Sequence, residues 1–458
     1  MEKKNLVVIY LHFPPEPAIS FPALILKYLV RLGWSVTVVT IEPGEKPKEV
    51  WQDWSGIQFL RITPEMNVLS TLSTRIHSKR YKDLQRLQVA AASDSGKHIR
   101  KSPYSGFGLL HAAINTMLNL FGEYHHFTPY VMRTLRKLHE KGPFSAVMSV
   151  YSGPFASHLV ARQFAREAHL PWIAQVKDYW GSFAYSGFSE APLVPRIFAS
   201  IKCALRRHME AKVLRDADIL LPHCQPVADY LRRLVPKAHL RILPNCYDDD
   251  DFNEDLQPEV PDSDSIFTAL WLGSTEVIQP LEMFFDALRK IHTSGAVRRD
   301  SFRVRFVGSE PDLIRAYAEA YSCSDLVEMI PFVSHKEAIS YLKQATCLLI
   351  SNRSGALARR LPEYVAARKP ILLFPWDGTS TIQQVLEEYR AVFIARDSQE
   401  IATTLTEWYR ASKAGRSISG PIQEGLVQSF KASKRALELQ EILVHILTTN
   451  ALNHRTIK

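Results

Sequence analysis

The chain is poor in cysteine, and the five it has (Cys203, Cys224, Cys246, Cys323 and Cys347) are scattered, odd in number and form no Cys-x-x-Cys pair. That excludes a disulfide framework and a zinc finger or ribbon, and it fits a reducing, cytoplasmic setting. Long apolar runs are missing as well. No uninterrupted stretch approaches the ~20 residues a spanning helix needs, so any membrane contact is expected to be peripheral, on the inner face of the plasma membrane. The opening residues, Met1 to Leu11, hold an apolar run of only a few residues and no small-residue cleavage site; they read as a first β-strand rather than a signal peptide. No cluster of ligating side chains stands at metal-binding spacing, so neither a metal nor another cofactor is expected. Acids are outnumbered, 47 Asp and Glu against 56 Lys and Arg, which gives a net charge of +9. This surplus favours anionic partners such as nucleotide phosphates or acidic lipid head groups. Nucleic acid is set aside because no recognition motif accompanies the charge.

What is present is a globular composition, 46% apolar and 22% charged, in 458 residues, enough for two domains. Short apolar strands alternate with helical patterns. Leu6–Leu11, a helix over Phe21–Leu32 ended by Gly33, and Ser35–Thr40 make a βαβ opening of the doubly wound α/β type. After a further strand at Ile57–Ile62 the rhythm breaks. Eight Lys or Arg lie between Arg75 and Lys101, and an apolar helical stretch follows through Ile114, Met117, Leu118 and Phe121. Residues 75–121 read either as a contact with anionic membrane or as a solvated basic loop beside a core helix. Alternation resumes with strands at Ala146–Val150, Pro171–Val176, Ile219–Leu221 and Leu240–Leu243. At the carboxyl end of the second of these stand Lys177, Asp178, Tyr179 and Trp180, a candidate site whose plainer alternative is a packing Trp with a capping Asp. A polar stretch to Ser265 then separates a second series of strands, beginning at Ile266–Leu272 with Gly273.

The most informative stretch is Arg359-Arg360-Leu361-Pro362-Glu363-Tyr364-Val365-Ala366-Ala367-Arg368-Lys369-Pro370, which leads into the apolar run Ile371–Phe374. Pro362 fits the first turn of a helix, so a helix from Leu361 to Lys369 is expected, with two guanidinium groups before it and a carboxylate in its first turn. The pattern suits a phosphate and a diol, and it also suits an ordinary helix whose Glu favours the N-terminus.

Six segments in order resemble those of a known family. They are His12-Phe13-Pro14-Pro15, Tyr151 to His158, Pro171 to Trp180, Leu243-Pro244-Asn245-Cys246-Tyr247-Asp248 with Phe252, Phe332 to Ala338, and Arg360 to Ile371. Together they are similar to GT-B glycosyltransferases of the retaining family 4 type, the group that builds bacterial surface polysaccharides and glycolipids. The resemblance implies two doubly wound, Rossmann-like α/β domains facing a cleft, with a C-terminal helix packing back on the N-domain. The expected boundaries are 1–245 with an insertion at about 66–141, a linker at 246–265, a nucleotide-sugar domain at 266–420, and a crossing helix at 421–458.

The same resemblance implies roles. Glu363 would bind ribose hydroxyls, Arg360 the diphosphate, and Asp178 would face the cleft with Trp180 from the acceptor side. Gly273, Ser274 and Thr275 would admit the phosphates, and Phe332 and Val333 would flank the base. Arg353, Arg359, Leu361 and Asn245 complete the expected donor-binding set. The implied partners are a nucleotide-sugar donor and a glycan or lipid-linked acceptor. Departures accompany these matches: Pro17 to Ser20 lacks the family's paired glycines, Glu276 to Gln279 lacks its cations, and Gly355 stands where the first of two glutamates falls. Two alternatives share the fold, a catalytically degenerate partner protein and a sugar-nucleotide epimerase.

Overall fold

A computed structural model describes residues 4–11, 21–41, 56–62, 128–151, 155–182, 193–252, 265–273, 281–308, 311–351, 360–375, 381–418 and 420–456. These residues fall into two compact units, one comprising the described residues up to Cys246 and from Ala432 onward, the other running from Tyr247 to Lys431. Outside the described residues lie the loops at His12–Pro15 and Pro17–Ser20, the insertion from 66 as far as 127, most of the linker, and Glu276–Gln279.

The first unit is built on β1 (Asn5–Ile9), β2 (Ser35–Ile41), β3 (Ile57–Ile62), β4 (Ala146–Tyr151), β5 (Trp172–Val176) and β6 (Ile219–Pro222), all parallel, in the order β3-β2-β1-β4-β5-β6. Register pairs Leu6 with Val36 on one side and with Ala146 on the other. Strands covered on both faces read as continuous apolar runs, and β4 is buried at all six positions. The helices are α1 (Phe21–Arg31), α2 (Thr128–Lys141), α3 (Ala156–Ala168), α4 (Leu193–Leu214) and α5 (Gln225–Leu234). The strand expected at Leu240–Leu243 is a single parallel bridge between Leu220 and Leu240.

The second unit repeats the plan. It contains β7 (Phe267–Leu272), α6 (Leu281–Ser294), β8 (Phe302–Val307), α7 (Pro311–Ala320), β9 (Val327–Ile330), α8 (His335–Gln344), β10 (Cys347–Ser351), α9 (Leu361–Ala366), β11 (Ile371–Phe374), α10 (Thr381–Tyr389), β12 (Val392–Ile394), α11 (Ser398–Lys413) and α12 (Glu424–Ser429). Its parallel sheet runs β12-β11-β10-β7-β8-β9, the same order as the first counted from its own strands. Aromatic rings fill the core: Phe284 stacks on Phe374 at 5.2 Å, and Phe267 on Phe302 at 5.4 Å.

The tail expected as one helical segment is two, divided at Phe430 and Lys431. Of these, α12 stays with the second unit, while α13 (Ala432–Thr456) packs into the first. Leu439, Ile442 and Leu443 are 0%, 3% and 0% exposed within the core that includes Leu24, Ile25 and Leu29 of α1. At about 1.5–3 kcal/mol for each buried aliphatic side chain, as an upper bound, these three alone make α13 part of that unit's core. Trp34 Nε1 donates to Gln440 Oε1 at 3.2 Å, which fixes its register.

Candidate active site

In sheets of this order the helices leave opposite faces at one point, and ligands bind outside the carboxyl ends of the strands there. In the second unit that point is the β7–β10 pair, where Ala269 lies beside Cys347 and Leu270 beside Leu348. Strand β7 ends at Leu272 and Gly273. Gly273 has φ +115°, which a side-chain-bearing residue rarely adopts, and a Cβ there would meet nothing within 4 Å. Glycine is therefore required by the turn itself rather than by crowding.

Helix α9 closes against that turn. The sequence leads one to expect it to run to Lys369, but it ends at Ala366 and the chain turns at Arg368, whose φ is +53°. All six of its residues are buried, and Leu361 is 0% exposed, so its side chain faces the core. Tyr364, 1% exposed, accepts the Leu272 N–H through its hydroxyl at 3.1 Å and ties α9 to the end of β7. Pro362 stands in the first turn as expected. So short a helix sums few peptide dipoles, which leaves the neighbouring side chains to supply most of the field.

Those side chains are Arg360 and Glu363. Glu363 is 2% exposed, and Arg360 Nη1 donates to its Oε2 at 2.9 Å, with the arginine side chain a quarter exposed. The guanidinium has five N–H donors in a fixed fork, so one contact with Glu363 does not exhaust it. Beside this pair lies His335, at the start of α8. Its Nε2 is 2.7 Å from Asp251 Oδ2, and its Nδ1 is buried with no hydrogen-bond partner among the described residues. Burial alone would lower the His335 pKa. The Asp251 hydrogen bond and the nearby charges of Glu363 and Asp251 outweigh it, and the net direction is up. Asp251, His335, Arg360 and Glu363 thus form one charged cluster.

Sequence reasoning placed His335 in a matched segment but gave it no role. The signal around it, Ser334 and Glu337 in a reciprocal capping box, describes a helix start and does not reveal that the next residue is buried. Phe332 is 52% exposed and lies beside Gly308 at the end of β8, and Val333 is half-buried. Ser274, Thr275, Arg353 and Arg359 lie outside the described residues.

Asp178 and Asn245 belong to the first unit. Asn245, 3% exposed, accepts a hydrogen bond from Lys177 Nζ at 2.9 Å, beside the half-buried Asp178. Trp180 packs: it is 6% exposed, stacked on Phe155 at 3.9 Å with the rings 1° from parallel. The turn after it is held by a residue the sequence did not single out, Glu210 of α4. Glu210 is 0% exposed, and its Oε2 accepts Tyr230 Oη–H at 2.5 Å and Gly181 N–H at 3.2 Å. Burial pushes this carboxyl up to about 7. A Cβ on Gly181 would lie 2.7 Å from the Arg207 backbone nitrogen, so only glycine fits against α4. Glu210 is the one acid on α4, but the sequence does not show that it is buried, because burial depends on how α4 packs.

The matched segment ending in His158 has a structural role in this geometry. Trp172 Nε1 donates to Ser149 Oγ at 2.8 Å, which leaves the hydroxyl hydrogen for His158 Nδ1 at 2.7 Å. His158 is buried and held neutral, its pKa lowered by burial to about 3. The chain of bonds pins α3 to β4 and β5 and offers no accessible nucleophile.

Among the described residues no group of three His, Cys, Asp or Glu could hold a metal ion, and no helix is long and apolar enough to cross a membrane.

Residues 23–246 match the glycosyl transferase 4-like domain, and residues 272–419 match glycosyl transferases group 1. Among solved structures, a sucrose-phosphate synthase from Thermosynechococcus elongatus is similar at TM-score 0.60 and 13% identity, over 97% of this chain and 100% of that one. The Anabaena protein HepE in complex with UDP and glucose is similar at TM-score 0.59 and 10% identity, over 96% and 99%. A glycosyltransferase from Rickettsia africae gives TM-score 0.57 and 12% identity, over 98% and 99%. No curated protein matches by sequence. Two family models in series, on two parallel sheets of identical strand order, make the chain a member of the GT-B glycosyltransferases, with a glycosyl transferase 4-like first unit and a group 1 second unit.

Proposed function

We propose that the chain moves a sugar from a nucleotide-sugar donor to a glycan or lipid-linked acceptor, with retention of configuration, in the synthesis of a surface polysaccharide or glycolipid. The observation that carries this reading is the Arg360–Glu363 pair, held at the switch point of the second sheet by the Tyr364–Leu272 hydrogen bond. A nucleoside diphosphate presents a diol and two phosphates a few ångströms apart. Glu363 suits the ribose hydroxyls, and the remaining N–H groups of Arg360 suit the diphosphate. HepE was solved with UDP and glucose, which supports a uridine nucleotide as the first donor to try.

During transfer the bond from the sugar's anomeric carbon to the diphosphate oxygen breaks, and the diphosphate keeps the electron pair. An acceptor hydroxyl oxygen forms the new bond to the anomeric carbon and gives its proton to the departing diphosphate. Negative charge grows on the leaving diphosphate, and a fixed guanidinium stabilises it without needing to reorganise. The reading calls on no metal, and it assigns no protein nucleophile. On the acceptor side it calls on Asp178, next to Lys177 and Asn245.

Thermal melting with UDP-, GDP- and other nucleotide-sugars tests the donor half. A ligand at 100 times its Kd adds about 2.7 kcal/mol to stability. A raised melting temperature with one donor class is the expected result. No shift at millimolar concentrations of any donor would overturn the transferase reading in favour of a degenerate partner protein.

A further inference from the structure

Nine large hydrophobic side chains are exposed among the described residues, and three of them sit on α4: Ile197, Ile201 and Leu205, at 49%, 53% and 47%. No other two of the nine are one helical turn apart. At 100° and 1.5 Å per residue, the three span an arc of about 80° and a length of about 12 Å, a single stripe. Ala204 and His208, both exposed, lie on the same face.

The charges on this helix have one sign. It carries Arg196, Lys202, Arg206, Arg207 and Lys212, and its one acid is Glu210, which is 0% exposed and bound to Tyr230 and Gly181. The outer face therefore shows solvent no carboxylate. By helical angle, the exposed Arg196 and Arg207 border the stripe on one side and the half-buried Lys202 on the other, and the exposed Lys212 extends it toward the helix end. An apolar strip edged by cations is what a helix lying in the plane of an anionic bilayer presents. The aliphatic groups enter at head-group depth while the cations meet lipid phosphates. A second copy is a poor occupant, because a two-fold contact would set these cations against themselves.

We propose that the outer face of α4 docks this chain on an anionic lipid surface. The inner face of the same helix holds the end of β5, with the Arg206 guanidinium 5.2 Å from the Trp180 ring centre and the Arg207 backbone against Gly181. One rigid element thus carries the lipid contact on one side and the acceptor-side turn on the other, which would bring a lipid-borne acceptor to that turn. The docking surface rests on the proposed function only for the nature of the acceptor.

The test is flotation of the full-length protein with phosphatidylglycerol–phosphatidylcholine vesicles and with phosphatidylcholine alone. The wild type should float with the anionic vesicles, lose binding as salt is raised, and stay down with the neutral ones. Two variants at exposed positions, Ile197→Ser/Ile201→Ser/Leu205→Ser and Arg196→Glu/Arg207→Glu, should each melt like the wild type and bind at least about tenfold more weakly. Equal binding to neutral vesicles, or wild-type binding by either variant, overturns the proposal. So does a wild-type dimer in light scattering that the triple variant converts to monomer. Donor-induced melting shifts in the same samples separate the two readings. A retained shift without flotation refutes only the docking surface; flotation without a shift refutes only the donor reading.

Discussion

The Arg360–Glu363 pair makes an asymmetric prediction. The Glu363 side chain is 3% exposed and that of Arg360 is 25% exposed, with 2.9 Å between Nη1 and Oε2. Arg360→Ala strands a carboxylate in the interior. Stranding a fully buried charge costs about 3–5 kcal/mol, and water entering the vacated arginine channel relieves part of that. A loss of about 2–3 kcal/mol is expected from urea unfolding. Glu363→Gln leaves an arginine that can turn its fork to solvent, so about 1 kcal/mol or less is expected from the same assay. Donor binding should follow a different order. Loss of the guanidinium removes a charge-assisted contact with phosphate worth about 1.5–3 kcal/mol, or roughly 10- to 150-fold in the Kd for UDP by calorimetry. Glu363→Gln should weaken UDP less than Arg360→Ala, since a neutral amide still accepts from a ribose hydroxyl. Equal destabilisation by the two substitutions, or unchanged nucleotide affinity in Arg360→Ala, would refute the assignment.

Three further outcomes follow from the same geometry. Tyr364→Phe removes the acceptor of the buried Leu272 N–H and should cost about 1–3 kcal/mol in urea unfolding, whereas a loss below about 0.5 kcal/mol would show that the bond does not fix the β7 turn. His335 has its folded pKa raised, so the stability contributed by its pairing with Asp251 is fully present below the unfolded value of about 6.5 and is lost as pH rises through the folded value. His335→Gln should flatten that part of a stability–pH curve, and an unchanged curve would contradict it. Glu210 is a carboxyl pushed up to about 7, so the fold holds its proton where the unfolded chain has released it, and stability falls as pH climbs from about 4.5 to about 7. Glu210→Gln, which keeps an acceptor for Tyr230 and Gly181, should gain on the wild type across that interval; a constant difference between the two would refute the shift.

The two α/β units and the end of β7 were legible in the sequence because they depend on local pattern. Apolar runs such as Ala146–Tyr151 and Phe267–Leu272 specify buried parallel strands, Gly273 marks a turn, and Pro362 sets a helix start. The Arg360 to Ile371 segment pointed to the candidate site because a spacing of three residues across the start of α9 brings Arg360 and Glu363 together. What the sequence alone did not decide depends on distant packing. The division of the tail into α12 and α13, where Tyr247 pairs with Lys431, and the burial of His335 against Asp251 are settled by elements tens of residues away. The same holds for Glu210. It is the one acid among the cations of α4, and only the packing of Tyr230 and Gly181 onto it makes it a buried acid. Periodicity carries the sign of an element's faces, but which face meets protein and which meets solvent is a property of the assembled fold. On α4 that distinction left Ile197, Ile201 and Leu205 outside.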